Sequence, residues 1–158
     1  MTETTTRPIE PSEDQSEDGT PDLSEFGDSI DPLVFEQILE MDDDEEREFS
    51  RSIVKGFFDQ AVATFKKMDD GLSSRDLSQL SSLGHFLKGS SATLGLTKVR
   101  DSCEKIQHYG AKKDDTGTKD EPSDEVCLNR IKETLTLVRE EYEEVEKVLK
   151  RFYGFTSP

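Results

Sequence analysis

Residues 131–152 read IKETLTLVREEYEEVEKVLKRF. Ile131, Leu135, Val138, Tyr142, Val145, Leu149 and Phe152 follow one another in alternating steps of four and three. On an α-helix that alternation keeps the apolar side chains in one seam, the pattern by which a helix packs along a neighbour. The residues between them are mostly Glu, Lys and Arg, which belong in water. Such a seam needs partner helices, and the chain supplies them on its N-terminal side.

Residues 114–124, DDTGTKDEPSD, form an acidic loop with glycine and proline. Before it, a helix is expected over 97–113, with Leu96, Val99, Cys103 and Ile106 on one side. Another begins near Ser74 or Asp76 and continues to Leu94, with Gly95 as its stop. A longer one covers 45–68. Its stripe of Phe49, Ile53, Phe57, Ala61, Thr64 and Met68 is widened by Val54, Phe58, Val62 and Phe65. A stripe this broad packs against more than one neighbour. Acidic residues at its start suit the helix dipole, and Gly71 is read as its end. A short first helix opens with Asp31 as N-cap and Pro32 at the first position, and carries Val34, Ile38 and Met41. Asp42, Asp43 and Asp44 close it, because carboxylates sit poorly at a C-terminal dipole end.

No segment sustains strand alternation. Four long amphipathic helices with mostly short connections predict an all-α fold: an antiparallel up-down four-helix bundle with a short extra N-terminal helix as its cap. Residues 1–28 carry acidic side chains from Glu3 to Asp28 with Arg7 as the only base, too few apolar groups to offset ordering entropy. They are read as a disordered acidic tail, and residues 29–158 as the bundle domain. A length of 158 residues fits one domain with a tail.

Charge limits the partners. The net charge is −16, which repels phosphate backbones and anionic lipids, so neither nucleic acid nor membrane is expected. No run approaches the roughly 20 apolar residues that span a bilayer. The N-terminus has no apolar stretch, so no secretory signal is expected. Cys103 and Cys127 both fall on apolar stripes and read as small buried hydrophobes, in keeping with a reducing intracellular compartment.

The third long helix breaks the pattern. At 100° per residue, Leu77, Leu80, Leu83, Gly84, Leu87, Ser91 and Leu94 cluster on one side. His85 lies roughly 145° from that centre and so points to solvent. Lys88 is one turn on. Gly89 is also one turn on and faces almost directly away from the core. A mid-helix glycine costs about 1 kcal/mol relative to alanine. Close packing excuses Gly84 but not an outward glycine, so Gly89 clears space beside His85. Phe86 exposes an aromatic ring next to the bare patch, which marks a docking surface. Imidazole is nucleophilic near neutral pH and forms covalent phosphoryl intermediates. Lys88 is within reach of a phosphoryl group on His85, a charge-assisted contact worth about 1.5–3 kcal/mol. Gln107, on the flank of the next helix, is placed to hydrogen-bond the imidazole.

The segment 83–96, LGHFLKGSSATLGL, closely resembles the phosphoacceptor helix of histidine-containing phosphotransfer proteins, above all the fungal phosphorelay intermediates. CEKIQHYG at 103–110 is similar to the next helix of that family, and MDDDEEREFS and GFFDQAVATF resemble its earlier helices. The resemblance covers roughly residues 29–153. It implies a phosphohistidine carrier without kinase activity of its own. His85 would be the phosphoacceptor, Lys88 would steady the phosphoryl group and Gln107 would orient the ring. The surface a partner meets would comprise Phe86, Gly89, Ser90 and Ala92. The donor would be the receiver-domain aspartate of a hybrid sensor histidine kinase, and the acceptors response-regulator receivers. The protein would need no cofactor, magnesium belonging to the receivers, and would act as a monomer in cytoplasm and nucleus. Two departures stand out. The fungal pattern often has an arginine four positions after the glutamine, where this chain has Ala111, with Lys112 or Lys113 as candidate substitutes. The 114–124 loop is also shorter than in some fungal members.

A helical adaptor without phosphoryl chemistry would bind partners through Phe86. A histidine-kinase fragment is disfavoured by the short chain and the lack of a Gly-rich nucleotide loop. A metal site on His85 and His108 lacks a third ligand at suitable spacing, and His108 reads as a plain surface residue.

Overall fold

The computed structural model describes residue 23 and residues 26–155. Among the described residues five helices follow in order: α1 (Pro32–Leu39), α2 (Glu48–Ser73), α3 (Leu77–Thr93), α4 (Thr97–Gly110) and α5 (Asp124–Tyr153). Among the described residues the only β-type pairing is an isolated bridge between Lys113 and Asp120.

The starts and stops follow local chemistry. The Asp31 carboxylate accepts the Leu33 N–H at 3.0 Å and Pro32 occupies the first turn. Asp76 caps α3 through the Gln79 N–H at 3.0 Å. Ser123 caps α5 through the Val126 N–H at 3.2 Å. Gly95 (φ +76°) ends α3 in the left-handed region, which a side chain would resist.

Three boundaries differ from the sequence reading. α2 begins at Glu48, because the acidic run serves this helix instead of merely ending α1. The Asp42 carboxylate accepts the Ser50 N–H at 2.8 Å and the Ser50 hydroxyl at 2.6 Å, and the Tyr153 hydroxyl donates to Ser50 Oγ at 2.7 Å. α2 then runs through Gly71 to Ser73. Gly71 is buried, and a Cβ there would lie 3.1 Å from the Leu80 side chain, so it serves close packing and not termination. α4 stops at Gly110, three residues early, and Lys112 turns left-handed with φ 64°.

Helices α2 to α5 alternate in direction. Gly71 meets Leu80 across α2 and α3, Ser102 meets Glu141 across α4 and α5, and Ser50 at the start of α2 meets Tyr153 at the end of α5. The result is the expected antiparallel bundle. α1 closes the end where α5 finishes. Phe35 sets its ring against Phe26, Phe152 and Tyr153, and the Asp31 N–H donates to the Gly95 carbonyl at 2.7 Å. The expected α1 stripe is therefore corrected: Phe35 is fully buried, while Met41 is exposed. Phe49 and Val62 also leave the assigned core stripe, at 44% and 59% exposed, because α2 turns those positions outside its contacts with α3 and α5. The tail read over residues 1–28 lies outside the described residues except at positions 23 and 26–28. Within it, Phe26 is buried against Phe35 and Phe152.

The tightest pairing is between α3 and α4. A Cβ on Gly84 would lie 2.8 Å from both the Cys103 carbonyl and the Gln107 nitrogen. One on Gly110 would lie 2.6 Å from the Ser81 nitrogen. Each helix thus gives up a side chain where the other's backbone passes, which holds α4 directly beside the exposed edge of α3.

Candidate functional site

His85 is exposed on α3 between buried Gly84 and Leu87. The core residues Leu80, Leu87 and Ser91 define the inward face, so the imidazole points away from the bundle. Phe86 is 49% exposed. Gly89 is open: a Cβ there would meet nothing within 4 Å. Ala92 is exposed two turns beyond His85. Ser90 turns toward α2, where its hydroxyl donates to Gln60 Oε1 at 3.2 Å.

The α4 flank is organised in rungs. Lys88 Nζ and Glu104 Oε2 form an ion pair at 3.6 Å. Three residues back along α3 is His85; three residues forward along antiparallel α4 is Gln107. The same register therefore sets Gln107 opposite the segment of His85. Its backbone carbonyl accepts the Ser81 hydroxyl at 2.8 Å, which locks α4 to the turn of α3 preceding His85. The Gln107 side chain does not make the bond expected of it: Oε1 is buried and has no hydrogen-bond partner. An unpaired buried acceptor costs about 1–3 kcal/mol.

Both candidate substitutes for an arginine at Ala111 form exposed ion pairs with the loop that follows α4. Lys112 pairs with Asp124 at 2.8 Å, which raises its ammonium pKa. Lys113 pairs with Asp120 across the loop. Their carboxylates come from the 114–124 segment, which folds back because Asp114 Oδ1 gathers the Thr118 and Lys119 N–H groups. His108 is corrected as well. It is half-buried, its Nδ1 lies 2.9 Å from the Asp115 carbonyl, and Gly117 sits so close that a Cβ would approach the ring to 2.9 Å. It buttresses the loop. No cluster of three or more His, Cys, Asp or Glu able to hold a metal occurs among the described residues. Cys103 and Cys127 are free and buried, and burial pushes the Cys103 thiol up to about 12, so it holds no reactive thiolate.

Two features escaped the sequence reading. One is Glu104, one helical turn from Gln107 and therefore discoverable from spacing. The other is a groove of about 320 Å³ between α2 and α3, lined by Ile53, Gly56, Gln60, Ser90 and Thr93 among others. A Cβ on Gly56, like one on Gly89, would meet nothing. Phe49, Ile53, Gly56 and Gln60 follow steps of four, three and four, the same seam rule on a face at the margin of the core, where Ile53 still packs against it.

Comparison with known proteins places the arrangement. Residues 52–146 match the family model described as the Hpt domain. The chain is 50% identical over 128 residues to multistep phosphorelay regulator 1 of Schizosaccharomyces pombe, covering 81% of this chain and 43% of that protein. It is 50% identical over 97 residues to the phosphorelay intermediate protein YPD1 of Candida albicans, covering 61% of this chain and 52% of that one. The chain thus spans about half the length of the curated relatives it matches. Among solved structures, it is similar to Saccharomyces cerevisiae Ypd1, a histidine phosphotransfer signaling protein crystallised with the receiver domain of its downstream response regulator Ssk1. The TM-score is 0.71 with 30% identity, over 80% of this chain and 95% of that one.

Proposed function

This chain belongs to the Hpt-domain family, and from that premise we propose that it is a phosphorelay intermediate whose phosphoacceptor is His85. One observation carries the assignment: within the matched segment, a solvent-facing histidine has a lysine one turn on and an open glycine beside it. The step requires little of the protein. An imidazole nitrogen of His85 directs its lone pair at the phosphorus of a receiver's aspartyl phosphate. The N–P bond forms, the bond from phosphorus to the aspartate oxygen breaks, and its electron pair leaves with the carboxylate. Onward transfer to a second receiver reverses these events. Catalytic positioning comes from the two docked surfaces together.

The site residues have separate roles. Lys88 neutralises charge on the phosphoryl oxygens. The orphaned Gln107 Oε1 accepts the imidazole N–H once the two side chains turn together, which fixes the ring and relieves the unpaired acceptor. Gly89 leaves room for the receiver. Phe86 and Ala92, with Ser90 toward the α2–α3 groove, form the surface it meets. The donor is the receiver of a hybrid sensor histidine kinase and the acceptors are response-regulator receivers. Magnesium is held by those receivers, and this chain needs no cofactor and has no ATP-dependent kinase activity. It acts as a monomer, in cytoplasm and nucleus, since a carrier between membrane sensors and transcriptional regulators must reach both. No helix among the described residues is long and apolar enough to cross a membrane.

The deciding experiment is transfer from a phosphorylated receiver domain to this protein and to its His85→Gln variant. Acid-labile, base-stable label on the parent alone is expected. Label on the variant would refute the site. Binding without label on either would leave an adaptor that docks through Phe86.

A further inference from the structure

Lys88 does not wait unpartnered for the phosphoryl group. Its ammonium is paired with Glu104 at 3.6 Å, with the lysine side chain 28% exposed and the glutamate side chain 46% exposed. Glu104 is on α4 and Lys88 on α3, held in register by the glycine contacts at Gly84 and Gly110. The pairing is therefore built into the α3–α4 packing. Lys112 and Lys113, the nearest cations beyond Gln107 along the chain, pair with Asp124 and Asp120.

Resting on the reading of His85 as phosphoacceptor, we infer that Glu104 is a positioning residue that competes with the phosphoryl group for Lys88 and so keeps phospho-His85 dischargeable. In the unphosphorylated protein, Glu104 holds the ammonium near the site. A phosphoryl group on His85, one turn from Lys88, carries more negative charge than a carboxylate and draws the ammonium across. A partly exposed ion pair is weak enough to be broken by that competitor. The shared lysine then stabilises phosphohistidine less than a free one would. In the onward step the phosphoryl group leaves for the receiver carboxylate, the N–P electron pair returns to the imidazole, and Lys88 returns to Glu104.

The test compares the full chain with Glu104→Gln, which keeps the shape and removes the charge, and with Glu104→Asp, which withdraws the carboxylate. Each is labelled from a phosphorylated receiver, then followed for hydrolysis of phospho-His85 and for the equilibrium share of label between carrier and receiver. For Glu104→Gln the half-life should lengthen by roughly two- to five-fold, the scale of a partly exposed ion pair, and the label should shift toward the carrier. Glu104→Asp should fall between. In a Lys88→Ala background, Glu104→Gln should change neither quantity. Unchanged lifetimes and partition in the single variants would overturn the inference while leaving His85 as carrier. So would an effect that persists without Lys88. Absence of label on His85 in the parent protein would overturn both readings, and that result is distinguishable from the others.

Discussion

At the scale of single residues, the site depends on what side chains leave open as much as on what they contribute. Gly89 has no neighbour that a Cβ would touch, so its substitution meets no resistance inside this molecule. Gly89→Gln should fold with equal or greater stability, by up to about 1 kcal/mol from helix propensity. It should still fail to accept phosphoryl groups, because its bulk stands where the receiver approaches. Thermal unfolding and transfer kinetics measured side by side check this; normal transfer would refute the clearance argument. Lys88→Ala removes a half-buried cation without opening the core. The fold should be unchanged and the phosphohistidine less persistent by roughly tenfold, the lower part of the range for a charge-assisted contact. Equal lifetimes in parent and variant would remove Lys88 from the mechanism.

At the scale of helices, the α3–α4 pair sets the site's precision. Gly84 lies against the backbone of α4 at positions 103 and 107. Gly84→Ala must push the helices apart and should cost about 1–3 kcal/mol, seen as a lower urea midpoint with an unchanged slope. The α4–α5 pair carries a half-buried acid instead. Glu141 accepts the Ser102 hydroxyl at 2.6 Å, and burial raises its carboxyl pKa above the ordinary value despite that bond. The folded protein then binds more protons than the unfolded chain between the two pKa values, so this group's contribution falls as pH rises through that window. Glu141→Gln keeps an acceptor for Ser102 and abolishes the titration. Its melting temperature should match the parent near pH 4 and exceed it increasingly as pH rises, before levelling off. A difference independent of pH would contradict the assignment.

At the scale of the whole molecule, a net charge of −16 opposes compaction through self-repulsion. Screening shortens that repulsion to about 10 Å at 0.1 M salt. The melting temperature should therefore rise by a few degrees between 0.01 and 0.15 M sodium chloride. A fall would mean that the surface ion pairs, such as Arg75–Glu125 and Arg139–Asp69, outweigh the excess charge.

The sequence alone determined that a short helix and four long ones form over the described residues, that Asp31, Asp76 and Gly95 bound them, and that His85 and Gly89 face outward while Gly84 faces inward. Helical periodicity and capping are local, so neighbours within a few residues decide them. Tertiary structure decided which apolar positions the bundle uses, burying Phe35 and releasing Phe49, Val62 and Met41. It made Gly71 a packing contact and Asp42 a cap for the second helix. It also tied Lys112 and Lys113 to the loop, paired Lys88 with Glu104, and left Gln107 Oε1 without a partner. The helix contacts depend on the register in which neighbouring helices pack, and the lysine pairs on how the 114–124 loop folds back; the periodicity of a single helix encodes neither.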